Sequence, residues 1–215
     1  MIRYLYPTAY FSSNNYRGIA LCCYICKLLD LVILDQFGKY LYTSGLQFGF
    51  KSGHSTTPCT AVYIETIDYY LRRNYDVFSY LLDASKAFGK VRYGKHFKLL
   101  MKRGVHLLII PVLYESYTRQ QVSVSSDNSK SRFFCVTNAR WCFVTYTVYI
   151  DELLVLLCKS TLGCHVGSSY IGALGYADGL TLISPRLCAM NQMLSISKSF
   201  VAEYNITFNA RKTMV

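Results

Sequence analysis

The sequence predicts an α+β fold in which an antiparallel sheet packs on helices. Three observations carry this. Apolar residues recur three and four apart across 19–37, the spacing of a helix with one buried face, and Ser55 with Pro58 opens a second helix over 56–72. Two apolar runs, 170–176 and 180–184, are separated by Asp178-Gly179, a dipeptide suited to a tight hairpin turn. Strands and helices are mixed, with a hairpin among them, which favours an antiparallel sheet over a doubly wound parallel one.

Taken in order, residues 1–16 are polar and aromatic without period and read as irregular. A helix follows over 19–37. The stretch 47–55, Gln-Phe-Gly-Phe-Lys-Ser-Gly-His-Ser, is glycine-rich and reads as a loop. Ser55 is placed to cap the helix 56–72, with Pro58 in its first turn, where a missing N–H costs nothing. Asp76 to Asp83 is a buried strand ending in an acid. Two short helices, 94–103 and 106–118, flank Gly104. Residues 119–126 and 131–137 alternate like a hairpin around Asp127-Asn128-Ser129. A helix is expected over 146–158, and Ser184-Pro185 opens a last one reaching about Tyr204.

Composition narrows the function classes. Of 215 residues, 52% are hydrophobic and 16% charged, which is a folding composition and excludes a disordered chain. Lys and Arg number 23 against 12 acids, a net charge of +11 that favours polyanions, nucleic acid or an anionic membrane surface, although on charge alone an ordinary basic surface is the better account. The most apolar stretch, Gly18 to Leu34, contains Lys27 and Asp30 and falls short of the roughly 20 clean residues of a membrane span. No signal peptide is evident at the N-terminus. Nine cysteines, odd in number and mostly within apolar runs, suit reduced thiols in an intracellular compartment, cytoplasm or nucleus. Cys23 and Cys26 have zinc-ligand spacing, but no second pair completes four ligands; they read as core, as do Cys158, Cys164 and His165.

Two of the acids stand out. Asp83 ends the run Phe-Ser-Tyr-Leu-Leu, and Asp178 follows Ala-Leu-Gly-Tyr-Ala. An acid at the end of a buried strand is costly unless paired, hydrogen-bonded or bound to a metal. On neighbouring strands, two such acids repel, and a divalent cation between them removes the repulsion. The plainer alternative, that both are turn acids, is strongest for Asp178, which precedes glycine. From Lys86 to Arg103 the chain carries seven cations (Lys86, Lys90, Arg92, Lys95, Lys98, Lys102 and Arg103) and no acid, which suits a phosphate backbone or a solvated helix face.

At this point the residues reach a resemblance. Tyr80-Leu-Leu-Asp-Ala-Ser-Lys-Ala-Phe-Gly-Lys-Val91 is similar to the first catalytic motif of reverse transcriptases from non-LTR (LINE-type) retrotransposons, and Tyr176-Ala-Asp-Gly179 resembles their Tyr-Ala-Asp-Asp box. Four weaker segments fall in the family's order: Asn15-Tyr-Arg-Gly-Ile-Ala-Leu21, Gln47 to Thr56, Tyr149-Ile-Asp-Glu-Leu153, and Tyr204 to Thr213. The resemblance implies one reverse transcriptase domain over about 15–215, with a fingers-like part at 1–75, a palm-like part with the catalytic strands at 76–215, and no thumb. No endonuclease domain is expected ahead of residue 1.

The family's chemistry is two-metal phosphoryl transfer on an RNA template and DNA primer with dNTP. By resemblance, Asp83, Asp178 and the carbonyl of Ala84 are ligands to two Mg²⁺ ions. Phe88 gates the sugar, with plain core as its alternative. Arg17 and Lys51 hold the triphosphate, surface charge being the alternative for both. Lys212 assists the leaving group unless it is simply exposed tail. Tyr176, Lys86 and Lys90 attend primer and template, and packing is the alternative for Tyr176. No membrane partner is implied, and the sequence leaves the oligomeric state open.

Three departures imply damage. Gly179 replaces the family's second aspartate, which weakens Mg²⁺ binding. Gly89 replaces another acid usual in the first motif. After Asn138 the glycine-glutamine loop that lines the template is several residues short; the chain reads Ala139-Arg-Trp-Cys-Phe-Val-Thr-Tyr-Thr-Val148 instead, which should disturb the helix that follows. The expectation is an impaired or inactive RNA-directed DNA polymerase fragment. The alternatives are a non-catalytic basic nucleic-acid-binding protein and an inert retrotransposon relic.

Overall fold

The structure is a computed structural model, which describes residues 2–4, 16–18, 24–51, 53–83, 93–126, 129–136, 143–177, 179–204 and 208. In chain order the elements are β1 (Ile2–Tyr4), β2 (Tyr16–Gly18), α1 (Tyr24–Phe37) with a 3₁₀ turn Gly38–Tyr40, α2 (Thr56–Leu71), β3 (Phe78–Asp83), α3 (Tyr93–Lys102), α4 (Ile109–Thr118), β4 (Gln120–Val122), β5 (Ser125–Ser126), β6 (Ser129–Lys130), β7 (Phe134–Val136), α5 (Phe143–Lys159), β8 (His165–Val166), β9 (Ser169–Tyr170), β10 (Ala173–Tyr176), β11 (Gly179–Ser184) and α6 (Leu187–Tyr204). The architecture is mixed α and β, with an open sheet packed against helices.

The central sheet has the order β10-β11-β3, antiparallel throughout, as the hairpin dipeptide predicts. Side chains alternate across it, as the two-residue period requires. Ala173, Leu180 and Leu182 join a core with Leu153, Leu154 and Leu157 of α5 and Met190, Met193 and Phe200 of α6. Leu174 and Ile183 point the other way, into a smaller cluster with Phe48, Cys164 and the α2 side chains Cys59, Val62 and Tyr63. The sheet is therefore covered on both faces, which explains why its strands read as continuous apolar runs. The Tyr63 hydroxyl donates to Ser79 Oγ at 3.0 Å and ties α2 to β3. Burial pushes the Cys164 thiol up to about 12, so this sulfur stays protonated core, as its sequence context suggests.

Several expectations shift. Residues 2–4 and Tyr16, within the stretch read as irregular, belong to an antiparallel pair in which β1 (2–4) meets β2 (16–18). Ser55 occupies the N-cap of α2 with extended backbone, yet its side chain makes no capping hydrogen bond. The expected 119–137 hairpin is split into two short ladders, β4 with β7 and β5 with β6. The β8–β9 pair was not foreseen; the Tyr70 hydroxyl secures it, donating to the His165 carbonyl and accepting from its N–H, both at 2.9 Å. The largest difference concerns the helix expected to suffer from the shortened loop. α5 runs for 17 residues from Phe143, with Thr147, Val148 and Ile150 buried. The segment 143–148 contains no Gly or Pro and continues the apolar spacing, so it is wound into the helix instead of looping. No helix among the described residues is long and apolar enough to cross a membrane.

Candidate active site at the end of the central sheet

Strand β3 delivers Asp83 as its last residue, half-buried at the edge of the apolar core. The register of β11 on β3 sets Gly179 directly opposite Asp83, while Tyr176 pairs with Gly179 across the β10–β11 turn. The strand-end acid thus stands beside the hairpin that carries the Tyr-Ala-Asp-Gly sequence. Tyr176, at the tip of β10, is 39% exposed and available to a ligand. Ala177 takes φ +55°, a left-handed conformation that costs a residue with a Cβ roughly 1 kcal/mol or more. Asp178 lies outside the described residues, as do Ala84, Lys86, Phe88, Lys90 and Lys212. Arg17 sits in β2, its backbone paired with Arg3.

The turn is held from outside by the glycine-rich stretch that reads as a loop. Gly175 N–H donates to the Leu46 carbonyl and Phe48 N–H to the Gly175 carbonyl, both at 2.8 Å, so residues 46–48 form a parallel strap along β10 centred on Gln47. Gln47 is fully buried, and its Oε1 accepts from Gly49 N–H at 2.9 Å. Two glycines make this possible. A Cβ on Gly175 would come within 2.8 Å of Leu154 Cδ1 and 3.0 Å of Gln47 Nε2. A Cβ on Gly49 would fall 2.1 Å from Ala177 N, inside any permissible contact. The strained Ala177 turn is therefore braced by backbone.

A polar network holds the residues that flank the strap. Asp151 of α5 is buried; its Oδ1 accepts from Ser44 Oγ at 2.6 Å and Ser44 N–H at 3.0 Å, and its Oδ2 meets Arg103 at 3.5 Å. Arg103 also binds Glu152 at 2.9 Å and the Tyr42 carbonyl. Lys51 donates to the Thr43 and Ser44 carbonyls at 3.3 and 3.2 Å, so its ammonium is engaged on its own loop. Ser44, Gln47, Gly49, Asp151 and Glu152 support the site without an individual role in the sequence reading, and Arg103 enters that reading only as one of the cation run. The cation run ending at Arg103 was partly misleading: Arg103 is paired with Asp151 and Glu152, and Lys95 with Glu203 at 2.7 Å, by acids distant in sequence. Lys98 and Lys102 remain exposed.

Among the described residues no three His, Cys, Asp or Glu side chains converge as a metal site. The described donor at the sheet end is Asp83, and its cross-strand neighbour has no side chain. The donor set therefore falls short of three carboxylates even when Asp178 is added from the sequence.

A mixed α/β domain, with an aspartate ending its central strand beside a braced hairpin, is what these observations define. A sequence model of the reverse transcriptase (RNA-dependent DNA polymerase) family matches residues 9–215, and the chain belongs to that family. Among solved structures it resembles a telomerase from Candida albicans in complex with a TWJ fragment of telomeric RNA, at TM-score 0.53 and 13% identity, over 89% of this chain and 34% of that one. An apo telomerase from Candida tropicalis is similar at TM-score 0.54 and 10% identity, over 88% of this chain and 35% of that one. The chain thus spans about a third of those telomerases' length, and at these identities the likeness shows the fold alone. No curated protein matches the chain.

Proposed function

We propose that this chain is the fingers and palm portion of a LINE-type retrotransposon reverse transcriptase, with 1–75 fingers-like and 76–215 palm-like, and that its RNA-directed DNA polymerase activity is impaired or lost. The observation that carries this is the register of Asp83 against Gly179. It supports a shared site for the two motif aspartates, and it puts glycine where the family's motif has its second box aspartate.

The family's chemistry depends on Mg²⁺, which when bound activates the primer 3′-hydroxyl and neutralises the leaving pyrophosphate. Asp83 and Asp178, with the Ala84 carbonyl, are the groups of this chain that would hold it. Two carboxylates in place of three lower the charge available for two divalent ions, so the described donor set does not fit full occupancy. Arg17 and Lys212 would meet the dNTP phosphates, and Lys51 joins them only by releasing its two carbonyls. Phe88 would lie under the sugar, and Tyr176, Lys86 and Lys90 along primer and RNA template. The thiols of Cys59, Cys135, Cys158, Cys164 and Cys188 support a reducing compartment, cytoplasm or nucleus.

The test is extension of an oligo(dT) primer on poly(rA) in Mg²⁺. No extension is expected. Robust incorporation that vanishes in Asp83→Ala would overturn the claim of lost activity while upholding the site. The second reading, a non-catalytic nucleic-acid binder, is favoured by the +11 charge and predicts RNA or DNA binding that EDTA leaves unchanged.

A further inference from the structure

The arm between α4 and α5 carries a feature that the catalytic reading does not use. Its two ladders are tied together at mid-length: Ser131 N–H donates to the Val124 carbonyl at 2.8 Å, and Val124 N–H donates to Ser131 Oγ at 2.9 Å. On this braced stem Phe133 is 68% exposed, and its neighbour Phe134 is 44% exposed. The Lys130 ammonium sits 5.7 Å from the centre of the Phe133 ring. Arg132 is exposed beside it. Burial does not explain an aromatic ring held in water with a lysine ammonium over it and an exposed arginine next in sequence.

We propose that this arm is a docking surface for single-stranded nucleic acid, on which Phe133 stacks a base while Lys130 and Arg132 meet the flanking phosphates. A ring face paired with adjacent cations is the chemistry that binds unpaired nucleotides without sequence preference. A protein partner is less well matched, because the exposed apolar surface here is interrupted by Lys130, Ser131 and Arg132. The inference rests on the nucleic-acid reading above and assigns it a place on the surface.

Fluorescence anisotropy with a labelled oligothymidylate of about 20 nucleotides, longer than a usual single-strand site, tests it. Phe133→Ala should weaken binding roughly 5- to 100-fold and leave the salt dependence unchanged. Arg132→Gln should instead reduce the salt slope by about 0.7, the share of one single-strand phosphate contact. Phe133→Trp, made with the chain's single Trp141 changed to Phe, should bind as tightly as the parent and lose emission when the oligonucleotide is added. Parent-like affinity of Phe133→Ala, within twofold, overturns the arm while leaving the nucleic-acid reading intact. A parent chain that binds no oligonucleotide overturns both. Phe133-dependent binding to phosphatidylserine vesicles with no oligonucleotide binding overturns the arm in favour of an anionic membrane.

Discussion

At the scale of single residues, Gly179 decides how much of the site can be rebuilt. Its backbone does not need glycine: an added Cβ would rest 3.4 Å from the Tyr176 carbonyl, an ordinary contact, and its φ is not positive. Gly179→Asp should therefore fold. Its carboxylate would stand directly across from Asp83, where like charges destabilise by up to about 1 kcal/mol. Its melting temperature should accordingly drop a few degrees in EDTA and recover in Mg²⁺. On the proposed reading primer extension should still be absent, because the segment 139–148 does not match the template-lining loop that the resemblance implies; recovery of activity from this one change would sink that reasoning. His96 gives a second residue-scale prediction. Fully buried in α3, it has its pKa held down to about 3 by desolvation, against an ordinary 6.5. The unfolded chain takes up the proton first, so stability is complete above pH 6.5 and is lost as pH falls toward 3, at about 1.4 kcal/mol per pH unit. By pH 5 this should amount to roughly 2 kcal/mol. Melts at pH 7 and pH 5 should show that difference in the parent and a smaller one in His96→Gln; equal pH sensitivity in both proteins would remove His96 from the account.

At the scale of elements, the strap and the network explain what sequence reading captured and what it missed. β3, β10 and β11 were legible because strands buried on both faces leave unbroken apolar runs, and because an aspartate at the end of one is conspicuous. β8 and β9 were not, since two-residue strands have no period to detect. The stretch 47–55 reads as a loop on Gly49 and Gly53. The overlooked signal was Gln47 between Leu46 and Phe48, a polar side chain inside an apolar run, which asks for a buried partner. Arg103 and Asp151 lie 48 positions apart, and no local pattern could pair them. The strap makes its own prediction. Gly49→Ala pushes a methyl into the backbone of Ala177, so the strap must lift from β10. Amide hydrogen exchange at Phe48 and Gly175, whose N–H groups hold the strap, should accelerate at least tenfold in this variant, whereas Leu182 in mid-β11 should change little. Unchanged protection at Phe48 and Gly175 would show that the strap does not depend on that close approach.

At the scale of the whole molecule, the question is whether a chain that departs from the family's motifs at these places folds as one unit. Of the departures, Gly179 lies at the end of the sheet and the segment 139–148 runs into the first turns of α5, while Gly89 lies outside the described residues. The core lies elsewhere. Leu100, Leu154, Leu157, Leu182, Ile183, Met190 and Met193 are essentially inaccessible to solvent, and they come from α3, α5, β11 and α6, elements that the chain joins across long separations. Burial of that kind is lost together or not at all, which is the basis of a cooperative transition. The buried Arg103–Asp151 pair ties the end of α3 and α5 to Tyr42 and Ser44, just ahead of the strap, and removing one partner of such a pair destabilises by about 3–5 kcal/mol. A folded binder and an inert relic therefore differ in a measurable way. Far-UV circular dichroism of the purified chain should show a single sigmoidal melt, and Arg103→Ala should lower its midpoint by on the order of 10 °C, as expected when a few kcal/mol are lost from a domain of this size. A featureless linear loss of ellipticity in the parent chain would instead identify a relic whose sequence still spells the fold without holding it.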